Sequence, residues 1–455
     1  MRISPPEPGP GETRYAALAR AIKMAVVEEG LKPHAKLPAV RKLAELSGFN
    51  PSTVVTALNL LESEGVIYKR EGSGTYVSPA SFVPSSAPEP VREKRIDFTS
   101  PTPSPEYFPV ADFKEAFNIV LDRDKGHAFS YPEQEGYLPL RLTVADYLSS
   151  QGLVVSPEMV QITSGAQQAL SLLAQVLLKP GDGVAIENPT YPGAVLAFNP
   201  HGARLLPVNI GYNGPTVKTI EALQKSRVRL YYAVPNFQNP TGTCYGDKVR
   251  SLLVELARQE DFYIIEDDHA SELYYTPSAP RTLWELAPDR VLFIKSFSKL
   301  FMPGLRLGFM LLPPELKERV NLAKQAADLG SPGINQRVLD HYLRQDKWLE
   351  HISFLRQTYK HRMDTMVTAL QRELQSRIAF TAPRGGMNLW LTLPRGVAAD
   401  GLRQKLLSRG VAVSPGSEYS LDGVSFSGNI RLSVANTFPG EIEEGVRVLS
   451  QTLSV

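Results

Sequence analysis

Residues 291–308 read VLFIKSFSKLFMPGLRLG, and this stretch decides the fold of most of the chain. Its first four residues are apolar, as in a strand buried within a sheet, and the polar residues Ser296, Ser298 and Lys299 follow closely. Arg306 comes seven residues after Lys299. Ligands collect where parallel strands end, because loops and helix N-termini converge there. A lysine and an arginine in this position therefore predict a ligand site.

Upstream of this stretch, short apolar strands alternate with helical patterns. Such alternation is typical of an α/β domain whose mostly parallel sheet is buried on both faces. After about residue 315 the chain is helix-rich with late strands, NLWLTL (388–393) and NIRLSV (429–434), which predicts a second, smaller lobe. The segments in chain order are VQIT (160–163), AQQALSLLAQVLL (166–178), GVAIENP (183–189), RLLPVNI (204–210), LYYAVP (230–235), DKVRSLLVELARQE (247–260), FYIIEDD (262–268) and VLFIKS (291–296).

The ends of these strands are unusually polar. Because the carboxyl ends of parallel strands lie at one edge of a sheet, we expect the polar segments to meet in one site. They are SGAQQ (164–168), ENPTYPG (187–193), NFQNPTG (236–242), EDDHASE (266–272) and KSFSK (295–299), with Arg306 and Arg431 further on.

The first 78 residues carry a different pattern. The expected helices are Thr13 to Glu29, ending at Gly30, then Ala39 to Leu46, ending near Gly48, and a third that opens at Asn50 and Pro51 with Val54, Val55, Leu58 and Leu61 facing inward. VIYKREGSGTYVS (66–78) then alternates around residues 71–74, which is a hairpin signal. Three helices followed by a hairpin predict a winged helix-turn-helix.

A proline-rich stretch separates the two patterns, with eight prolines in residues 79–109. Proline removes backbone donors and blocks helix, so we place a semi-extended linker at residues 79–95. The residues after it, IDFTSPTPSPEYFP (96–109), are expected to pack on the α/β domain. The predicted domains are 1–78, the linker 79–95, and 96–455, the last with a large lobe at about 110–315 and a small lobe at about 316–455.

Composition sets further bounds. The 455 residues carry 49 Lys and Arg against 47 Asp and Glu, so any affinity for nucleic acid has to come from a local patch. The single cysteine, Cys244, excludes an internal disulfide framework and a multi-cysteine metal site. The chain has no uninterrupted apolar run of ~18 residues and no secretory pattern at its start, so we expect a cytoplasmic protein without membrane contact.

The polar segments, taken in order, resemble the fold-type I pyridoxal-phosphate enzymes of the aspartate aminotransferase superfamily, most closely the 2-aminoadipate and kynurenine branch. The most specific pieces are PNFQNPTG (235–242) and SFSKLFMPGLRLG (296–308). Residues 18–77 are similar to GntR-type winged helices. A GntR head joined to an aminotransferase body is the architecture of the MocR regulators.

The resemblance implies pyridoxal 5'-phosphate as cofactor and assigns roles by position. Lys299 would hold the cofactor aldehyde as an imine, Asp267 would keep the pyridine nitrogen protonated, and Asn239 would bond the phenolic oxygen. Tyr191 would stack on the ring, and Arg431 would clamp a substrate α-carboxylate. The phosphate would be held by Gly165, Ala166, Gln167, Ser296, Ser298 and Arg306, joined by Tyr131 from a neighbouring subunit, which implies a homodimer.

Two positions depart from the family pattern. His269 stands where related enzymes have a tyrosine that contacts the phenolic oxygen, and imidazole can still donate a hydrogen bond there. Ala166 stands where serine is common, which leaves only a backbone amide for the phosphate.

The head offers polar groups on the outer face of its third helix and cations on both sides of them. Residues 1–80 hold ten Lys and Arg against eight Glu, so placement matters more than net charge. The predicted DNA-binding residues are Arg41, Ser52, Thr53, Thr56, Asn59, Arg70 and Gly74. Ala39 and Pro51 depart from the GntR pattern, and a protein-binding winged helix is the alternative.

Other interpretations of the same motifs stay open. Asp267, Asp268, His269 and Glu272 also suit a metal site, although no partner cluster accompanies them. Ser296 and Lys299 form a Ser-x-x-Lys string, as in serine acyl-enzymes, but the companion strings Ser-Asp-Asn and Lys-Thr-Gly are absent from the sequence.

Two functional hypotheses arise from the whole pattern. The first is a transcriptional regulator that binds DNA through its head and senses an amino compound through the cofactor on Lys299. The second is a working aminotransferase of the 2-aminoadipate and kynurenine type, whose head is a tether or a vestige. A cofactor-free scaffold is disfavoured by Lys299.

Overall fold

The computed structural model describes residues 13–28, 31, 34–63, 66–70, 72–78, 95–374 and 377–454. The chain divides into two compact units, Met1–Glu93 and Lys94–Val455. Apart from Arg95, the predicted linker 79–95 lies outside the described residues, as do Gly30 and Glu71.

The first unit, which we call the head, has three helices and an antiparallel hairpin. They are α1 (Arg14–Glu28), α2 (Val40–Ser47), α3 (Pro51–Ser63), β1 (Ile67–Arg70) and β2 (Gly74–Val77). Asn50 caps α3, because its Oδ1 accepts a hydrogen bond from the amide of Thr53 at 2.8 Å. Gly48 ends α2 in the left-handed conformation, with φ 71°.

One hydrophobic core joins all these elements and confirms the winged helix-turn-helix. It contains Leu18, Ile22, Leu43, Val54, Leu58, Leu61, Ile67 and Val77. The prediction for Val55 was wrong, since this side chain is 43% exposed. Consecutive helical residues point about 100° apart, so Val54 and Val55 do not both face the same core.

The second unit, which we call the body, is built on an eight-stranded sheet of order β4-β11-β10-β9-β8-β5-β6-β7. Strands β5, β6, β8, β9 and β10 run parallel, whereas β4, β11 and β7 pair antiparallel with their neighbours. The strands are β4 (Val160–Thr163), β5 (Gly183–Asn188), β6 (Arg204–Gly211), β7 (Gly214–Pro215), β8 (Val228–Ala233), β9 (Tyr263–Asp268), β10 (Val291–Ser296) and β11 (Gly308–Leu311). The predicted mostly parallel α/β sheet is confirmed.

Helices cover both faces of this sheet. Leu292 and Ile294 of β10 belong to one apolar cluster, and Val291 and Phe293 to the other, so alternate residues of the strand are buried on opposite faces. The helices are α4 (Val110–Asp124), α5 (Leu138–Ser150), α6 (Ala166–Leu177), α7 (Pro192–Phe198), α8 (Val217–Glu221), α9 (Asp247–Gln259), α10 (Pro314–Asp328), α11 (Gly333–Leu343) and α12 (Asp346–Leu374).

The C-terminal lobe holds a four-stranded sheet of order β12-β13-β16-β15 and a separate strand pair. Its elements are β12 (Ala379–Phe380), β13 (Asn388–Thr392), α13 (Ala399–Leu407), β14 (Val411–Ala412), β15 (Ser414–Pro415), β16 (Asn429–Ser433) and α14 (Pro439–Thr452). β14 pairs in parallel with β3 (Ile96–Asp97), and Phe98 packs against Gly445 of α14. The chain therefore enters the body through this lobe. Among the described residues, no helix has the length and apolarity to cross a membrane.

Candidate functional site

A cavity of about 210 Å³ lies at the carboxyl ends of β8, β9 and β10. Sheet register brings its residues together, because Ile294 of β10 pairs with Asp267 of β9, and Ser296 pairs with Gly308 of β11. Ten predicted residues line the cavity: Ala166, Gln167, Tyr191, Asn239, Asp267, His269, Ser296, Ser298, Lys299 and Arg306. Three lining residues were not predicted: Pro101, Tyr232 and Val234.

Asp267 is buried at the end of β9, with one carboxylate oxygen bonded and the other free. Its Oδ2 accepts a hydrogen bond from the Tyr232 hydroxyl at 2.8 Å. Its Oδ1 is buried and, within the described structure, has no partner. Burial raises the pKa of Asp267 to about 6; the Tyr232 hydrogen bond opposes this shift, and the charge of Asp268 adds to it. An unpaired acceptor of this kind is suited to a ligand that brings an N–H group.

Lys299 lies in a short 3₁₀ turn directly after β10. Its Nζ donates a hydrogen bond to the backbone carbonyl of Pro101 at 2.6 Å. Burial and the positive charge of Arg431 lower the pKa of Lys299 to about 8, while Asp267 opposes the shift. The lowered pKa brings the unprotonated amine, which is the nucleophilic form, closer to neutral pH than in an ordinary lysine.

His269 contributes a second unpartnered atom to the cavity. Its Nε2 is buried and, in the part of the chain that the structure describes, makes no hydrogen bond. Burial, followed by the positive charge of Lys299, lowers the pKa of His269 to about 4. The ring is therefore neutral at physiological pH and offers one donor and one acceptor nitrogen.

Behind His269, Asp268 and Glu272 are both bonded to a buried lysine. Lys295 Nζ lies 2.8 Å from Asp268 Oδ2 and 2.8 Å from Glu272 Oε2. Tyr147 donates a further hydrogen bond to Glu272 at 3.0 Å. Across the described ranges no set of three His, Cys, Asp or Glu residues is placed to hold a metal ion. Two members of the acidic cluster, Asp268 and Glu272, thus form an ion-pair network with Lys295.

The loop before α6 and the turn that carries Arg306 form a cradle for an anion. Arg306 adopts a left-handed conformation, φ 52°, and its Nη2 bonds the Ser164 carbonyl at 3.0 Å. Gly165 has φ 91°, and a Cβ there would lie 3.1 Å from Arg306 Nη2. The first amides of a helix lack helical partners and point outward, so α6 adds N–H donors beside this guanidinium.

Arg431 lines an outer cavity of about 510 Å³, which shares Pro101, Gln167, Tyr191 and Asn239 with the inner one. The residue is only 4% exposed, yet its hydrogen bonds go to neutral groups. They are the Thr99 carbonyl at 2.5 Å, Ser414 Oγ at 3.3 Å and Asn239 Oδ1 at 3.4 Å. Its Nε has no partner among the described residues. A buried guanidinium without a carboxylate partner is suited to bind an anion.

Tyr131 is not part of either cavity. Its side chain is 86% exposed in the single chain. Its assignment to the phosphate of a neighbouring subunit stays a prediction.

On the head, the predicted DNA-binding residues lie mostly on the surface. Thr53 is partly buried, and Arg41, Ser52, Thr56, Asn59, Arg70 and Gly74 are exposed. Asn59 is engaged within the head, since Lys69 Nζ bonds its Oδ1 at 2.5 Å and Glu62 at 2.6 Å. Arg70 packs over the rings of Tyr68 and Tyr76 on the hairpin, at 5.7 and 5.8 Å from their centroids.

Comparison with known proteins matches both units. Residues 102–449 match the family model for aminotransferase class I and II, and residues 14–77 match that for bacterial regulatory proteins of the gntR family. The chain belongs to the class I and II aminotransferases, with a GntR head. Members of this aminotransferase fold bind pyridoxal phosphate, and a GntR domain implies DNA as a partner.

Individual relatives fall into two groups. The 2-aminoadipate transaminase of Thermus thermophilus is 38% identical over 79% of this chain and 90% of its own length. The crystal structure of LysN, the α-aminoadipate aminotransferase of that organism, has a TM-score of 0.75 at 37% identity, covering 80% of this chain and 92% of that one. The uncharacterized HTH-type transcriptional regulator YcxD of Bacillus subtilis is 30% identical over 97% of this chain and 100% of its own. Regulators of this type share the full GntR-aminotransferase architecture, which is MocR-like.

Sequence reasoning missed Tyr232, Thr99 and Pro101. Tyr232 had a usable signal, because it lies near the carboxyl end of an apolar strand. Thr99 and Pro101 had none, since their contacts with Arg431 and Lys299 join residues far apart in the chain.

Proposed function

We propose that this chain is a transcriptional regulator whose body binds pyridoxal 5'-phosphate and responds to an amino compound that carries a carboxylate. The observation that carries the proposal is the combination around two cavities that share four lining residues: Lys299, the free Oδ1 of Asp267, and the buried Arg431, whose hydrogen bonds in the described structure go to neutral groups. The GntR head on the same chain supplies the regulatory output.

The residues present fit this cofactor. The cradle of Arg306 and the α6 amides suits a phosphate, and Asp267 Oδ1 suits a protonated pyridine nitrogen. Lys299 suits the aldehyde, and Asn239 and the unpartnered Nε2 of His269, which line the same cavity, suit a phenolic oxygen. Tyr191, which is partly buried in the cavity wall, presents an aromatic ring for stacking.

When bound, the cofactor supplies an electron-withdrawing aromatic aldehyde that combines with amines. The protein residues set the conditions for that chemistry. Lys299 would hold the aldehyde through its Nζ, and the same nitrogen in its free, unprotonated form would be able to accept and return a proton. Asp267 would keep a positive charge on the ring nitrogen, and Tyr232 fixes the orientation of that carboxylate by its hydrogen bond to Oδ2.

Besides an amine, the ligand needs a carboxylate, and Arg431 is the residue that would bind it. Its guanidinium offers parallel N–H groups to a carboxylate, and the present partners are all neutral. Because relatives of this chain are named for 2-aminoadipate, aromatic amino acids and kynurenine, the α-amino acids are the first candidates to test.

A homodimer is part of the proposal. Phe129 and Tyr131, close together in sequence, are 69% and 86% exposed. An exposed aromatic pair of this kind is typical of a surface covered in an oligomer, and a dimer would give the regulator two heads for two half-sites.

The experiment combines two assays on one preparation. The affinity of the protein for DNA is measured with and without each candidate amino acid. Keto-acid production is then measured on the same sample. We expect at least one amino acid to change DNA affinity by roughly 5- to 150-fold, the usual range of allosteric coupling. Equal DNA affinity with every amino acid that demonstrably reacts with the cofactor would contradict the regulatory proposal.

A working aminotransferase is the second candidate function. It is favoured by the full set of Lys299, Asp267, Asn239 and Arg431 around connected cavities, and by the 38% identity to a named transaminase. Multiple-turnover keto-acid production without any effect on DNA binding would select this function.

A further inference from the structure

Residues 99–101 contribute to the wall of the site, and we call this segment the strap. Pro101 lines both cavities, and Thr99 lines the outer one. The strap follows Phe98, which is buried and tied to the small lobe: its amide donates to the Ala412 carbonyl at 3.0 Å, and its carbonyl accepts from the Ser433 amide at 2.8 Å.

The strap places a backbone carbonyl on each of the two cations of the site. Thr99 O accepts from Arg431 Nη2 at 2.5 Å, and Pro101 O accepts from Lys299 Nζ at 2.6 Å. These are the two side chains assigned above to the carboxylate and the amine of the ligand. The strap therefore occupies donors that a ligand would use.

Asp97 holds the strap in this position. Its Oδ1 accepts from the Thr99 amide at 2.8 Å and from the Thr99 hydroxyl at 2.5 Å. These bonds fix the backbone at Thr99 and direct its carbonyl toward Arg431. Pro101, with its fixed φ, limits the freedom of the chain on the other side.

The two acceptors that compete for Arg431 differ in strength. A hydrogen bond from a guanidinium to a carboxylate is charge-assisted on both sides and is stronger than one to a neutral carbonyl. A ligand that brings a carboxylate can therefore displace Thr99 O, whereas a neutral group or a bare amine cannot. Nη2 already bonds Thr99 O and Ser414 Oγ, and either pair of parallel N–H groups of a guanidinium includes this nitrogen. A carboxylate held by two parallel bonds therefore requires the strap to move.

We propose that the strap is a built-in competitor for the Arg431 site and sets its specificity. A ligand with a carboxylate replaces the Thr99 carbonyl and releases the strap. An amine of the same shape without a carboxylate leaves the Arg431–Thr99 bond in place, so the strap stays closed. This inference rests on the proposed carboxylate recognition by Arg431 and adds the element that enforces it.

Thr99→Gly tests the competition without changing charge. The variant loses the hydroxyl bond to Asp97 and gains backbone freedom, which weakens the hold on the carbonyl. Thr276→Gly is the matched control, because Thr276 is exposed, its hydroxyl bonds the Ser278 carbonyl within the same turn, and it lines neither cavity. Thermal melts establish that both variants fold.

The probes are carboxylates that have no amine: 2-hydroxy-4-methylpentanoate, 3-phenyllactate and 2-hydroxyglutarate. Their affinities for the full-length protein as purified are measured by calorimetry. Whichever of the three probes binds to wild type should bind to Thr99→Gly about 3- to 10-fold more tightly. This is the gain in affinity when a competing hydrogen bond to a charged group is weakened. Thr276→Gly should bind like wild type.

Hydrogen exchange of peptides covering residues 98–104 gives the second readout. Exchange in wild type should become faster when the carboxylate probe is saturating, and should stay unchanged with 3-methylbutylamine, the amine of leucine without its carboxylate. Probe binding with unchanged exchange and equal affinities in the two variants would overturn the strap while leaving carboxylate recognition intact. Absence of probe binding to wild type and to Thr99→Gly alike would overturn both proposals.

Discussion

Two residues of the site, Asp267 and Arg431, lower the stability of the ligand-free protein and are suited to bind a ligand. Among the described residues, Asp267 is a buried carboxylate with one unpaired oxygen, and Arg431 is a buried cation whose hydrogen bonds all go to neutral groups. Both arrangements cost folding free energy, because burial disfavours a charge that is not fully paired. Both become favourable once a ligand supplies the missing partner, so these residues are better explained by binding than by folding.

Replacing Asp267 with asparagine should stabilise the cofactor-free protein. The pKa of Asp267 is raised in the folded state, to about 6, so its ionisation costs stability above that pH and costs nothing below about pH 4, where both states are protonated. Asp267→Asn should therefore raise the free energy of unfolding by about 1–3 kcal/mol at pH 7.5. Urea unfolding at several pH values should show this gain shrink between pH 6 and 4.

The control for that prediction is Asp146→Asn, on the exposed face of α5. It removes the same charge and should show no comparable gain. In the cofactor-loaded protein, Asp267→Asn should lower the rate of amine chemistry far more than cofactor retention, because the phosphate cradle remains. Full half-reaction rates in the variant would show that Asp267 does not act on the ring nitrogen.

Arg431→Ala should weaken binding of amino acids that carry a carboxylate. Loss of a charged hydrogen-bonding partner should cost about 2 kcal/mol or more, equivalent to roughly 30-fold in affinity. Arg290→Ala is the control, because Arg290 directly precedes the amino end of β10, whereas the site lies at the carboxyl end, and it pairs with Asp261. Titration of the cofactor spectrum with amino acid measures both, and undiminished affinity in Arg431→Ala would refute the carboxylate assignment.

At the scale of elements, the site depends on how a strand end, a glycine and a helix start are combined. β4 ends at Thr163, the chain turns at Gly165 with φ 91°, and α6 begins at Ala166. This turn brings the first amides of α6 beside Arg306. Few residues other than glycine adopt that φ, and a side chain there would meet the guanidinium.

Gly165→Ala and Gly181→Ala separate the effect of backbone strain from the effect of a side chain that contacts the Arg306 guanidinium. Both glycines have φ 91°, but a Cβ at Gly181 meets nothing within 4 Å, whereas one at Gly165 lies 3.1 Å from Arg306 Nη2. Both variants should lose stability from backbone strain, by about 1–3 kcal/mol, because a residue with a Cβ rarely adopts this φ. Only Gly165→Ala should also lose cofactor affinity, measured by dialysis and visible absorbance. Equal cofactor retention in the two variants would rule out the cradle as the phosphate site.

At the scale of the whole molecule, a DNA-binding module and an amine-binding module share one chain. Residues 79–94 lead into β3, which pairs with β14 in the small lobe. Arg431 belongs to the same lobe, on β16, whereas Lys299 follows β10 in the large sheet. A ligand that engages both cations therefore bridges the two lobes, and β3, the first strand of the body, belongs to the lobe that carries Arg431.

Lys299→Ala should remove both the cofactor signal and the regulatory response. The purified wild type should show the visible absorbance of a lysine-bound cofactor, and the variant should lose it on dialysis, because no covalent bond remains to hold the aldehyde. DNA affinity of the variant should then no longer depend on amino acids. A variant that keeps the absorbance would exclude Lys299 as the attachment point, and one that keeps only the DNA response would place effector binding elsewhere.

Local patterns in the sequence were sufficient for the fold and for most of the site. Alternating apolar strands and helices predict the α/β sheet, and ten residues at strand ends do line one cavity. These predictions succeed because strand ends and helix starts are encoded by neighbouring residues, and a parallel sheet necessarily brings such ends to one edge.

The protonation and the hydrogen bonds of those residues depend on contacts that form only in the tertiary structure. The free Oδ1 of Asp267 depends on Tyr232 taking the other oxygen, the lowered pKa of Lys299 depends on burial and on Arg431, and the strap depends on Thr99 and Pro101 reaching cations on two lobes. Each of these contacts joins residues that are far apart in the sequence. Their geometry follows from how the sheets and lobes pack, which no local pattern records.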